Sequence, residues 1–158
     1  MPAKPRSIVD IQLDQRQMVR WSPEIDHERR VALFDLLEAN HFELKDGPAP
    51  PYTVEMALQD TTLVFRISAV DSDEGSELAL PVRPLRKVIK DYFMVCETYF
   101  AAIRAASPQR IEAIDMGRRA LHNEASALLT DALSDRVRID HDTARRLFTL
   151  ICVLHIRG

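Results

Sequence analysis

Cysteine, glycine and long apolar runs are scarce in this chain, and each scarcity argues against a class of protein. The two cysteines, Cys96 and Cys152, form no C-x-x-C pair, which argues against a cysteine-based zinc site. Both lie in apolar helical stretches, so we expect buried, reduced thiols. Four glycines leave no P-loop and no G-x-G-x-x-G motif.

Membrane, secreted and nucleic-acid-binding proteins are also disfavoured by what the chain lacks. Its longest apolar run, 147–156, is shorter than the ~20 residues of a membrane span. Residues 1–9 have no apolar segment of the signal-peptide kind, so we expect a cytoplasmic protein. The net charge of −3 lacks the basic excess typical of nucleic-acid binders.

What is present suits one globular domain. The 158 residues are 46% apolar, enough for one core, and we expect a single α+β domain over 1–158 with 1–7 as a loose tail. Apolar and polar residues alternate over 8–13, 52–58, 62–67 and 76–80. These segments predict an antiparallel sheet of three to five strands, in which the second and third form a hairpin.

Helices are predicted mainly in the C-terminal half, and about four are expected in all. Ser-Pro pairs at 22–23 and 107–108 mark the starts of helices reaching about 40 and 133, and others are predicted over 84–106 and from 140 or 142 to 156. Val31, Phe34 and Leu37 are the expected inner stripe of the first. The last is apolar almost all round, so it is either central in the core or covered by a second subunit. Residues 136–140 are a linker or a short strand.

The most informative residues lie in the helix over 107–133. Asp115, Arg118 and His122 are spaced i, i+3 and i+7, with Arg118 amid an otherwise apolar face. A charge placed there must be paired or must border a cavity. The cluster is either a pocket that binds an anion or transfers protons, or a structural network between elements. Ser126 lies one turn further on.

Several other residues bear on this cluster. Arg119 and Tyr92 are possible helpers, and Gly117, which costs up to ~1 kcal/mol within a helix, suggests the close approach of a helix or a ligand. Double arginines occur at 29–30, 118–119 and 145–146. They either converge on a phosphate or carboxylate, or form solvated helix faces with ion pairs such as Arg118 or Arg119 with Asp115. No histidine pair has metal-ligand spacing, so neither a metal site nor a cofactor is predicted.

The chain resembles a numbered uncharacterised protein family of bacteria (UPF type, family 0262). The residues that carry the resemblance are 26–29 (DHER), 90–93 (KDYF), 112–119 (EAIDMGRR), 122–124 (HNE), 142–150 (DTARRLFTL), 152–155 (CVLH) and 157–158 (RG). The resemblance spans nearly the whole chain. It implies a bacterial cytosolic protein and brings no activity, cofactor or catalytic residue.

Two functions remain open at the level of sequence. The first is a non-catalytic interaction or regulatory module, expected to be a homodimer because 92–103 and 147–156 are rich in apolar residues and no catalytic motif is recognisable. The second is a binding protein or enzyme for a small anionic ligand that uses Asp115, Arg118 and His122. The first is favoured over the second. Whether the protein is an enzyme stays open, and a protein without catalytic activity is favoured.

Overall fold

The elements follow the predicted order, with most strands in the N-terminal half and three of the four helices in the C-terminal half. The computed structural model describes residues 6–14, 23–105 and 107–155. It contains β1 (Ile8–Asp14), α1 (Pro23–Glu38), β2 (Phe42–Leu44), β3 (Tyr52–Gln59), β4 (Thr62–Ala69), β5 (Gly75–Pro81), α2 (Arg86–Ala105), α3 (Pro108–Leu133), β6 (Val137–Ile139) and α4 (His141–Leu154). A short 3-10 helix at Arg83–Leu85 precedes α2. The α+β class and the four helices are confirmed.

The main sheet has four strands in the order β1-β3-β4-β5. The antiparallel meander β3-β4-β5 is as predicted. The expectation of a purely antiparallel sheet was wrong for β1, which pairs parallel with β3. The chain reaches β3 only after passing through α1, and such a crossover connection is what a parallel pair requires.

A second, two-stranded sheet joins distant parts of the chain. β2 pairs antiparallel with β6, with Phe42 opposite Ile139 and Leu44 opposite Val137. Of the two alternatives for residues 136–140, the short strand is therefore the right one. This sheet holds the segment after α1 against the connection between α3 and α4.

Asn40 fastens β1 to the end of α1. The Ile8 amide donates to Asn40 Oδ1 (2.7 Å), and Asn40 Nδ2 donates to the carbonyl oxygens of Ile8 (2.8 Å) and Leu36 (2.9 Å). The amide side chain of Asn40 thus uses both its donor and its acceptor on backbone groups, as a neighbouring peptide unit would. Of the residues expected in a loose tail, 1–5 lie outside the described ranges, while Ser7 is buried and its carbonyl accepts from the Tyr52 amide.

The buried face of α1 differs from the predicted one at two of its three positions, since only Leu37 packs against the core. Val31 and Phe34 are 42% and 69% exposed, and the buried residues of the helix are Ala32 and Leu36. These two continue with Asn40 at i, i+4 and i+8, so the face that carries Asn40 towards β1 is the one that is buried. The predicted N-cap, Ser22, lies outside the described residues.

α4 is the central helix of the core. Every residue from 147 to 154 is buried, and Asp140 caps the helix by accepting from the Thr143 amide (2.9 Å). α1 and α3 both pack against it. The apolar surface of α4 is therefore covered within one chain. Of the two predicted alternatives, a helix central in the core is the right one, and a second subunit is not needed to cover it. Within the described ranges no helix combines the length and apolar character needed to cross a bilayer.

Candidate functional site

A cavity of about 190 Å³ lies between α1, α3 and α4. Arg118 and His122 line it from α3, and Arg145 and Arg146 line it from α4. Four residues of α1 line it: Glu28 and Asp35, and between them the apolar Val31 and Ala32. Because residues three, four and seven apart share a helix face, the polar lining residues of each helix face the same space.

Arg118 is the centre of an ion-pair network at one end of this cavity. It donates to Glu28 on α1 (2.9 Å) and to Asp115 on its own helix (3.2 Å), while Arg119 forms an ion pair with the other oxygen of Asp115 (2.9 Å). The Arg118 guanidinium also lies 4.4 Å from the centre of the Tyr99 ring, a cation–π contact. Arg118 is thus held on several sides, and this part of the cluster is a satisfied network.

His122 is the neutral member of the cluster. Its ring meets the rings of Tyr92 and Phe148 edge to face, with centroids 5.3 and 6.3 Å away. Burial, with lesser effects of Arg145 and Arg118, lowers the pKa of His122 from 6.5 to about 4. The imidazole is therefore uncharged at neutral pH. Its Nδ1 is buried and has no hydrogen-bond partner among the described residues.

Arg145 and Arg146 differ from Arg118 and Arg119 in having no carboxylate partner among the described residues. None of the ion pairs in the described part of the chain includes either one, and the buried Nε of Arg146 has no hydrogen-bond partner there. Guanidinium groups so placed are suited to phosphate or carboxylate, which they bind through paired N–H donors. Of the three double arginines, 118–119 and 145–146 converge on the cavity. In the third, Arg29 and Arg30 pair with Asp26 on their own helix.

Ser126 faces a different part of the fold. Its hydroxyl donates to the His141 carbonyl (2.9 Å) and lies 3.0 Å from His141 Nδ1, and Asn123 Oδ1 lies 3.1 Å from His141 Nε2. These contacts hold α3 against the first turn of α4. Ser126 was expected beside His122, but its hydroxyl is engaged outside the residues that line the cavity.

Three other sequence-based expectations have a clear outcome in the structure. A Cβ on Gly117 would meet nothing within 4 Å, so the close approach expected there is absent from the described structure. Cys96 and Cys152 are buried and free, and burial raises the pKa of the Cys96 thiol to about 11. Tyr92 is buried with its ring against that of His122, and burial raises the pKa of its hydroxyl.

Two acidic residues of the cavity, Glu28 and Asp35, were not singled out from the sequence. They lie seven residues apart on α1, a spacing that places both on one helix face. That signal was present, but nothing in the sequence shows that this face meets α3, 90 positions along the chain. No group of three or more metal-ligand side chains comes together within the described ranges.

Comparison with known proteins places the chain in a family. The model of the uncharacterised protein family UPF0262 matches residues 5–157, so the chain belongs to this family. A UPF0262 protein of Rhodospirillum rubrum is 54% identical over 96% of this chain and 93% of its own length. Another from Rhizobium meliloti is 53% identical over 96% of this chain and 95% of its own. No solved structure matches the chain.

Proposed function

We propose that this protein binds a small anionic ligand in the cavity between α1, α3 and α4. The observation that carries the proposal is that Arg145 and Arg146 line the cavity without a carboxylate partner among the described residues. Four arginines face three carboxylates there, so the cavity has a net positive charge. Its volume, about 190 Å³, is below the usual range of drug-sized pockets, which favours a compact metabolite.

The roles in this proposal are divided among the lining residues. Arg145 and Arg146 bind the anion, and His122 offers an uncharged nitrogen that donates or accepts according to its tautomer. Arg118, Arg119 and Asp115 hold the opposite end of the cavity in shape through their network with Glu28. Binding of a ligand needs no catalytic step, and we place the protein among cytoplasmic binding proteins.

Removal of either unpaired arginine is expected to weaken binding. Each charge-assisted bond is worth about 1.5–3 kcal/mol, so Arg145→Gln and Arg146→Gln should each weaken binding at least about tenfold. The measurement is calorimetric titration of the full chain with inorganic phosphate, ethyl phosphate and succinate. Arg138→Gln, which removes an exposed arginine of β6, is the matched control and should bind like the parent. Absence of heat and of thermal stabilisation with every probe, or equal binding by all the variants, would contradict the proposal.

A homodimeric interaction module is the second candidate. The apolar surface of α4 no longer supports it, but Phe34 on α1 is 69% exposed and Met116 on α3 is 64% exposed. Sedimentation should then show a dimer at micromolar concentration, and Phe34→Ser should shift it towards monomer. Ala113→Ser, at another exposed position of α3, serves as the control. A monomer over the whole concentration range would exclude this candidate and leave the ligand-binding proposal standing.

A further inference from the structure

The cavity has two ends, which follow from how its helices are directed. The His41 amide, just after α1, donates to Thr143 Oγ1 in the first turn of α4 (3.0 Å). Ser126, late in α3, donates to the His141 carbonyl at the start of α4. α1 and α3 therefore both run opposite to α4. The later lining residues of these two helices, Asp35 and His122, lie towards the start of α4.

The two ends differ in how their charges are paired. At the Glu28 end, the ion pairs already described join Arg118 and Arg119 to carboxylates. Asp35 lies seven residues from Glu28, about 10 Å along the helix, at the end occupied by Arg145 and Arg146. Within the described ranges, Asp35 forms no ion pair with either arginine or with any other cation. The Asp35 carboxylate and the guanidinium groups of Arg145 and Arg146 therefore line the same small cavity but lie more than 4 Å apart, too far for an ion pair.

Asp35 decides what kind of anion suits the cavity. A simple anion bound at Arg145 and Arg146 would be repelled by this carboxylate in a partly enclosed space, where charges are weakly screened. A ligand that also carries a protonated amine reverses the effect, since the amine pairs with Asp35 while the anion pairs with the arginines. The small cavity volume, about 190 Å³, suits a short linker between the two groups.

We propose that the ligand is a compact zwitterion, with a phosphate or carboxylate held by Arg145 and Arg146 and a protonated amine held by Asp35. This inference rests on the proposed function and deepens it by naming the class of ligand. Asp35 is then a specificity-determining residue, which selects an amino compound over the same anion without the amine.

Matched ligands test this inference directly. O-phosphoethanolamine and ethyl phosphate share the phosphate and differ in the amine, as do β-alanine and propionate for the carboxylate. Titration calorimetry of the full chain at pH 7.5 should show the amino member of one pair binding at least tenfold more tightly. Asp35→Asn should reduce this ratio to near one by weakening the amino compound alone. Arg146→Gln should weaken both members, and Asp131→Asn, at an exposed position of α3, should leave the ratio unchanged.

The outcomes separate the inference from the proposed function. If ethyl phosphate binds as tightly as O-phosphoethanolamine, or if Asp35→Asn keeps the preference, the inference is wrong while anion binding stands. If none of the four compounds binds while inorganic phosphate or succinate does, only the inference is wrong; if phosphate and succinate also fail, both are wrong. The pair that shows the preference identifies the anionic group as phosphate or carboxylate. Melting temperatures of the variants, measured without ligand, establish that each one is folded.

Discussion

Replacement of Asn40 by alanine is expected to lower the free energy of unfolding by about 3 kcal/mol, because it leaves buried backbone groups without hydrogen-bond partners. Asn40 is 4% exposed and makes three hydrogen bonds to the backbone of β1 and α1. Without it, the amide and carbonyl of Ile8 lose their partner, and each buried unpaired group costs about 1–3 kcal/mol. Urea unfolding at 25 °C measures the change, with an unaltered slope showing that the denatured state is unaffected.

Two further variants sharpen this test. Asn40→Asp keeps the shape but replaces the donor with a carboxylate facing the Ile8 and Leu36 carbonyl oxygens, so it should destabilise more than alanine does at neutral pH. Asn123→Ala removes an exposed asparagine with a single side-chain bond to His141 and should cost less than about 1 kcal/mol. Equal losses of unfolding free energy for the Asn40 and Asn123 variants would show that the hydrogen bonds of Asn40 do not contribute the stability assigned to them.

Asn40 also shows which parts of the fold were accessible from the sequence. The hairpin, α3 and α4 were predictable because long periodic segments and caps such as Ser107 and Asp140 are local signals. The buried face of α1 was not, since apolar residues surround that helix and tertiary contacts through Asn40 select the face. The parallel pairing of β1 and the three-residue strand Phe42–Leu44 likewise depend on partners far away in sequence.

The candidate site, like the fold, was predictable from the sequence only where local spacing determines it. The spacing of Asp115, Arg118 and His122 identified the helix face, because i, i+3 and i+7 relations are local geometry. That 118–119 and 145–146 converge while 29–30 does not depends on how the helices pack, and the sequence left both outcomes open. Glu28 and Asp35 were missed for the same reason, although they decide which arginines are paired.

The stability of the protein is expected to decrease between pH 6.5 and about 4 through His122. Burial first, then the neighbouring Arg145 and Arg118, lowers the pKa of this imidazole from 6.5 to about 4 in the folded state. Above pH 6.5 both states are neutral there, and the group makes stability neither rise nor fall. Below it, the unfolded chain takes up a proton that the folded protein does not, so the free energy of unfolding falls with pH. After a discount for partial exposure, the loss by pH 4 is roughly 2 kcal/mol.

A matched variant isolates this contribution from the carboxylates that titrate over the same range. His122→Asn removes the titrating ring, so the difference in unfolding free energy between the parent and this variant should change by roughly 2 kcal/mol from pH 7 to pH 4. His27→Asn, at an exposed position of α1, controls for the loss of a histidine. NMR titration of the His122 ring gives the folded-state pKa directly, and a midpoint near 6.5 would contradict the prediction.

The same midpoint would remove the uncharged imidazole from the cavity, because a protonated ring would add a fifth cation beside Arg118 and Arg145. The anion site would then be more strongly positive than proposed, with less selectivity left to Asp35.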